Sequence, residues 1–150
     1  AVRFAHIADQ PFADWRFTLG AELDSVFLVS KAAWPHLAAS RGSILNVGSV
    51  AGISGSVTVG RVAHSASKGG VVAMTKQLAG EGGRWGIRAN AISPGLIATE
   101  GTAESLLDPK HPMARAAAYI PLGRIGTADD VVNVALFLCS PLVKPYLALL

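Results

Sequence analysis

Three side chains in this 150-residue sequence combine type and spacing in a way that acid/base chemistry can use: Ser49, His64 and Lys68. Ser49 follows the run Ile44-Leu45-Asn46-Val47-Gly48, which reads as a strand and its exit. In open α/β sheets, ligands sit in the loops beyond the carboxyl ends of strands. His64 and Lys68 are four residues apart, a spacing that puts both on one face of a helix, one turn from each other. A hydroxyl, an imidazole and an ammonium gathered there can bind a polar oxygen, pass a proton and hold charge beside it. Ser49 and His64 can also be read as nucleophile and base of a hydrolase. Against that, Gly48-Ser49 is not a GxSxG elbow, and no aspartate is placed by sequence to orient the ring.

The elements that must position these groups are legible in the apolar pattern. Between Asp14 and Ala39, Trp15, Leu19, Leu23, Val26, Phe27, Ala33, Trp34 and Leu37 recur at threes and fours, predicting a helix buried along one face, with Gly20 and Pro35 as the places for a kink. Ser43–Val47 lacks helical period and is bounded by Arg41-Gly42 and Gly48-Ser49, as a buried strand is. A Gly/Ser-rich loop runs to about Arg61, a helix is predicted from His64 to Glu81, and Gly82-Gly83 supplies its stop. Ile87–Ile92 reads as a second strand. Strand, helix and strand in that order make a βαβ unit with parallel strands, and so an α/β fold. After Ser93-Pro94-Gly95 a polar, irregular stretch is expected to Lys110, then a helix-prone alanine run to Tyr119 and a last helix capped by Thr127. Two strands leave an open parallel sheet uncovered, so further strands are expected outside this sequence.

The segment His64-Ser65-Ala66-Ser67-Lys68-Gly69-Gly70 resembles the YxASKGG signature of short-chain dehydrogenases/reductases, with histidine where the family has tyrosine. Asn46-Val47-Gly48-Ser49 is similar to the family's serine-bearing strand end. Asn90-Ala91-Ile92-Ser93-Pro94-Gly95 looks like its Pro-Gly turn, and Pro121-Leu122-Gly123-Arg124-Ile125-Gly126 also matches. The resemblance implies one partial domain, 1–150, of a doubly wound Rossmann-like sheet. It implies reversible hydride transfer between NAD or NADP and an alcohol or carbonyl substrate. Ser49 would then bind the substrate oxygen, position 64 would pass the proton, and Lys68 would hold the nicotinamide ribose. Pro94, Gly95, Ile97 and Thr99 would contact the nicotinamide amide, and homo-oligomers would be expected.

Three departures from the family pattern bear on activity. His64 brings an imidazole, shorter than a phenol and titrating far below it in isolation. Glu22 stands where the family helix carries an asparagine, and its carboxylate is expected to face Lys68 through water or to pair with it. The GxxxGxG turn that binds the cofactor's pyrophosphate does not occur in the sequence. The interval from Ser49 to His64 is also longer than the family's, which predicts a rearranged loop at 54–60. Two readings follow: an oxidoreductase with an altered catalytic set, or a non-catalytic remnant serving as an association module.

Composition narrows the alternatives. At 51% hydrophobic and 15% charged residues the sequence is that of a globular protein. The net charge of +3 is scattered without a Lys/Arg cluster, which argues against nucleic acid as a partner. Cys139 is the single cysteine, so neither an internal disulfide nor a cysteine-based metal site is expected, and a reducing cytoplasm is the expected location. No apolar stretch approaches the roughly 20 residues of a membrane span.

Overall fold

The computed structural model describes residues 2–108, 110, 111, 114, 115 and 118–143. Its centre is the predicted βαβ unit. β1 (Ser43–Val47) and β2 (Arg88–Ile92) pair in parallel, in register from Ser43 opposite Arg88 to Val47 opposite Ile92. They are joined through α3 (Val62–Gly82). The buried positions of α3 include Ala63, Ser67, Val71 and Thr75, four residues apart each time. That spacing forms one stripe of small side chains, which lets the helix backbone lie close to the elements beneath it. Asn46 of β1 donates to Thr75 Oγ1 at 2.8 Å, and Thr75 donates in turn to the Val71 carbonyl at 2.7 Å. A buried amide is thereby satisfied between strand and helix. Ile44, Ile87 and Ala89 form the core cluster, against which Trp34, Leu37 and Ala38 pack together with Leu78, Ala79 and Trp85.

The long first helix is not one regular helix. α1 (Phe12–Leu19) and α2 (Ser25–Ser40) are joined by a π-helical turn, Gly20–Asp24, in which the Ser25 N–H donates to the Gly20 carbonyl five residues back. The expected kink at Gly20 is therefore a change of helical pitch, and Pro35 lies inside α2 without ending it. π turns of this kind reorient the side chains they carry and occur often at functional sites.

The stretch after Pro94-Gly95 corrects the expectation of irregular chain to Lys110. It contains β3 (Ile97–Ala98) and α4 (Glu100–Leu107). Thr102 Oγ1 accepts the Thr99 N–H at 2.9 Å and donates to the Ile97 carbonyl at 2.7 Å, closing the start of α4. β3 pairs in parallel with β4 (Gly126–Thr127), which leads into α5 (Ala128–Cys139). Thr127 caps α5 as predicted, its side chain accepting from the Asp130 N–H. Arg124 forms two hydrogen bonds to the Asp130 carboxylate, at 2.7 and 3.0 Å. The Arg124 guanidinium, with the Thr127 N–H and hydroxyl, holds that carboxyl well below the usual carboxylate range. The alanine run towards Tyr119 lies partly outside the described residues. Among the described residues, no helix is long and apolar enough to cross a membrane.

Candidate active site

The carboxyl ends of β1 and β2 are tied together: the Gly48 N–H donates to the Ile92 carbonyl at 2.7 Å, and the Val50 N–H to the Pro94 carbonyl at 3.1 Å. Ser49 therefore emerges beside the Pro94-Gly95 turn. Its Oγ accepts the Ala51 N–H at 3.1 Å and caps the 3₁₀ turn Val50–Gly52. A hydroxyl has two acceptor lone pairs and one proton to donate. Capping the turn uses one lone pair and leaves the proton for a ligand.

Gly52 places this turn directly on α3. A β-carbon there would lie 2.6 Å from Gly69 N and 2.7 Å from the Lys68 carbonyl carbon, both of them backbone atoms that cannot swing away. Gly52→Ala is expected to destabilise the fold by about 1–3 kcal/mol, measured as a lowered thermal unfolding midpoint. An unchanged midpoint would show that the turn can lift off the helix.

Beyond the turn, the lengthened loop points into solvent. Ile53 and Val57 are 70% and 98% exposed. Ser56 Oγ accepts from the Thr58 and Val59 N–H groups at 3.3 and 3.1 Å. The chain returns at Gly60, packed against the backbone of Ala5 and His6. The extra length is thus absorbed outside the site, and the start of α3 keeps its place.

Glu22, carried on the π turn, and His64, on the first turn of α3, meet across 42 residues of sequence. His64 Nδ1 lies 2.8 Å from Glu22 Oε2 and 3.0 Å from Oε1. An ionised carboxylate only accepts, so Nδ1 carries the hydrogen and Nε2 is the nitrogen left for other partners. Both side chains are mostly buried, at 15% exposure for His64 and 10% for Glu22. The Phe4 ring packs at right angles to the imidazole with centroids 5.7 Å apart. Lys68 Nζ is 3.8 Å from Glu22 Oε1 and donates to the Val47 carbonyl at 3.0 Å.

Of the two arrangements expected for Glu22, the structure has the direct pair with Lys68 rather than the contact through water, and the carboxylate touches the histidine more closely than the lysine. The ring also does have an acidic residue to orient it, one supplied by tertiary structure and not by an aspartate in sequence. Even so, no hydrogen bond joins Ser49 Oγ to His64 among the described residues, and Ser49 Oγ accepts the N–H of Ala51. The nucleophile–base contact of a serine hydrolase is therefore lacking.

Ser49, His64 and Lys68 line one open cleft of about 440 Å³ together with Pro94, Gly95, Ile97 and Thr99. Of the residues singled out from sequence, Glu22 alone stands behind the wall rather than in it. The cleft also has a side made by Val131 and Val132 of α5 and by Thr102 of α4. Sequence reasoning missed these three. The Thr127 cap fixes where α5 begins, but only the β3–β4 pairing brings that beginning over the Pro94-Gly95 turn.

A family model described as Enoyl-(Acyl carrier protein) reductase matches residues 2–145. The chain is 40% identical over 129 residues to (3R)-3-hydroxyacyl-CoA dehydrogenase of Rattus norvegicus, covering 85% of this chain and 48% of that protein. It is also 40% identical over 131 residues to Inactive 2-(S)-hydroxypropyl-CoM dehydrogenase 2 of Xanthobacter autotrophicus, covering 84% of this chain and 56% of that one. The TT0495 protein of Thermus thermophilus superposes with a TM-score of 0.90 at 31% identity, over 99% of this chain and 62% of that structure. The chain thus spans about half the length of the two curated relatives.

Proposed function

The chain belongs to the short-chain dehydrogenase/reductase family, and on that premise we propose that its cleft serves an NAD(P)-dependent oxidoreductase acting on an alcohol or carbonyl substrate, with histidine as the proton-exchanging group. The observation that carries this reading is the Glu22–His64 pair. Both positions depart from the family pattern, and the two departures are complementary: each buried group satisfies the other. Independent decay of two positions has no reason to produce a matched pair. The similarity to an inactive relative and to a (3R)-3-hydroxyacyl-CoA dehydrogenase, both at 40% identity, does not separate active from inactive. The residues themselves argue for activity.

The cleft suits the nicotinamide end of a dinucleotide. Lys68 Nζ has donors beyond the one given to the Val47 carbonyl, suited to sugar hydroxyls. Gly95 leaves open space, the nearest atom to an added β-carbon being Val50 Cγ1 at 4.0 Å. Ile97, Val131 and Val132 give a flat ring an apolar wall. The cofactor when bound supplies the hydride chemistry. This chain's residues do the rest. Ser49 donates a hydrogen bond from its hydroxyl to the substrate oxygen. His64 Nε2, with Nδ1–H held by Glu22, takes the proton that leaves an alcohol during oxidation and returns it to the oxygen during reduction. The Glu22 carboxylate offsets the positive charge on the ring while both nitrogens hold hydrogen, the part that an aspartate plays in a hydrolytic triad. Lys68 adds a positive charge beside the carboxylate and keeps α3 fastened to the end of β1. The same family reading carries a homo-oligomer as the working form.

The test is NAD(P)-dependent oxidation of a panel of secondary alcohols, followed at the nicotinamide absorbance, together with cofactor titration. Ser49→Ala is expected to lower kcat by about 10²-fold, and its loss of the cap on the Val50–Gly52 turn is read separately as a lowered unfolding midpoint. Absence of both turnover and cofactor binding with every alcohol would leave the non-catalytic reading in its place.

A further inference from the structure

A second cleft, of about 560 Å³, opens at the amino ends of β1 and β2, the opposite end of the sheet from Ser49. Its walls include Arg41, Arg84 and Arg88, and no carboxylate side chain lines it among the described residues. Among the described residues none of the three arginines forms an ion pair, since the ion pairs there join Arg3 to Asp14, Glu22 to His64 and Lys68, and Arg124 to Asp130. The concentration of positive charge in one concave surface contrasts with the scattered charge of the sequence.

Each arginine is fixed in a different way. Arg88 is committed to the end of α5: Nη1 donates to the Leu138 carbonyl at 2.7 Å, and Nη2 to those of Cys139 and Ser140 at 3.1 and 3.3 Å. It forms the charged floor. The Arg84 guanidinium carbon lies 3.7 Å from the centre of the Trp85 ring, and Trp85 is held edge-on by Trp34 at 5.9 Å. Stacking on an aromatic face leaves the in-plane N–H groups available along the edge of the guanidinium. Arg41 ends α2 with φ of 53°, the left-handed conformation that favours glycine. Its stem passes over Gly86, which has φ of 72° and where a β-carbon would meet Arg41 Cγ at 3.3 Å. A long cationic side chain thus occupies a backbone position that costs free energy for it, and a glycine opposite makes room for its stem.

We propose that this cleft binds a phosphate group, free or carried on a larger molecule, with the guanidinium forks of Arg41 and Arg84 as its ligands and the Arg88 charge beneath. Planar forks match the oxygens of a phosphate in paired hydrogen bonds. An anion between them removes the mutual repulsion of the cations. The site is independent of the oxidoreductase reading, sharing no described residue with the Ser49 cleft.

The experiment is calorimetric titration of the protein with inorganic pyrophosphate, accompanied by NMR of the tryptophan indole N–H groups. Saturable binding is expected, shifting the Trp85 resonance and leaving that of Trp15 in place. Arg41→Gln and Arg84→Gln are each expected to weaken binding about tenfold or more, with unfolding midpoints reporting that both variants stay folded. Arg16→Gln, on α1, is expected to bind as the parent does. Titrations with inorganic phosphate and glycerol phosphate then distinguish a free anion from an organic one, and tighter binding of either supports the site. Failure to saturate, a shift at Trp15 alone, or equal affinity in the Arg41 and Arg84 variants would overturn it.

Discussion

Glu22→Gln is expected to reduce kcat for alcohol oxidation by between about 10²- and 10⁴-fold, the range over which a positioned proton-transfer group contributes. The effect turns on which ring nitrogen carries hydrogen. The carboxylate at 2.8 Å can only accept, so it holds the hydrogen on Nδ1. Glutamine offers an amide N–H as well as a carbonyl. Once that N–H faces Nδ1, the ring hydrogen moves to Nε2 and the lone pair that takes the substrate proton is lost. Because Glu22 does not line the cleft, KM is expected to change little. A fall in kcat at near-constant KM, with partial retention in Glu22→Asp, marks a positioning residue acting through His64. Parent kcat in Glu22→Gln would remove His64 from the proton path.

The second large effect concerns His64→Tyr, the substitution that restores the family residue. Placed alone, tyrosine removes the ring nitrogen that satisfies a carboxylate only 10% exposed. Leaving a buried polar group without its partner costs about 1–3 kcal/mol, which at this chain length lowers the unfolding midpoint by about 2–4 °C for each kcal/mol. Lys68 at 3.8 Å recovers part of the loss. Adding Glu22→Asn to His64→Tyr removes the stranded charge and is expected to return most of the stability, so the two substitutions are non-additive. The single His64→Tyr variant is expected to show no gain in turnover. Differential scanning of the parent, the two single variants and the double variant measures the coupling. Additive midpoints, or a gain in activity from His64→Tyr alone, would show that the pair does not act as a unit.

The apolar stretch behind the candidate site has a plain structural role. Trp34, Leu37 and Ala38 of α2 pack on the cluster of Ile44, Ile87 and Ala89, so the helix that follows the Glu22 turn is anchored to the sheet that bears Ser49 at its end. The two halves of the site are therefore held by one core. Burial of the larger of those side chains, about 1.5–3 kcal/mol for a leucine or isoleucine when complete, fixes the distance across which the carboxylate and the imidazole meet.

The sequence by itself determined the βαβ unit, because apolar period and Gly-bounded runs are local properties and each can be read in a window of a dozen residues. It also determined that Ser49 ends a strand and that His64 and Lys68 share a helical face, since both follow from spacing within one element. The tertiary structure alone decided what Glu22 does. A π turn accommodates an extra residue, and in an α-helix each residue turns the following side chains by about 100°, so the face on which Glu22 lies depends on whether the turn at Gly20–Asp24 forms. That depends on packing against α3, which no local pattern records. The same holds for Val131 and Val132, brought to the cleft by the two-residue β3–β4 pairing. Contacts of long sequence separation are set by how the elements dock, and there the partner of His64 was decided.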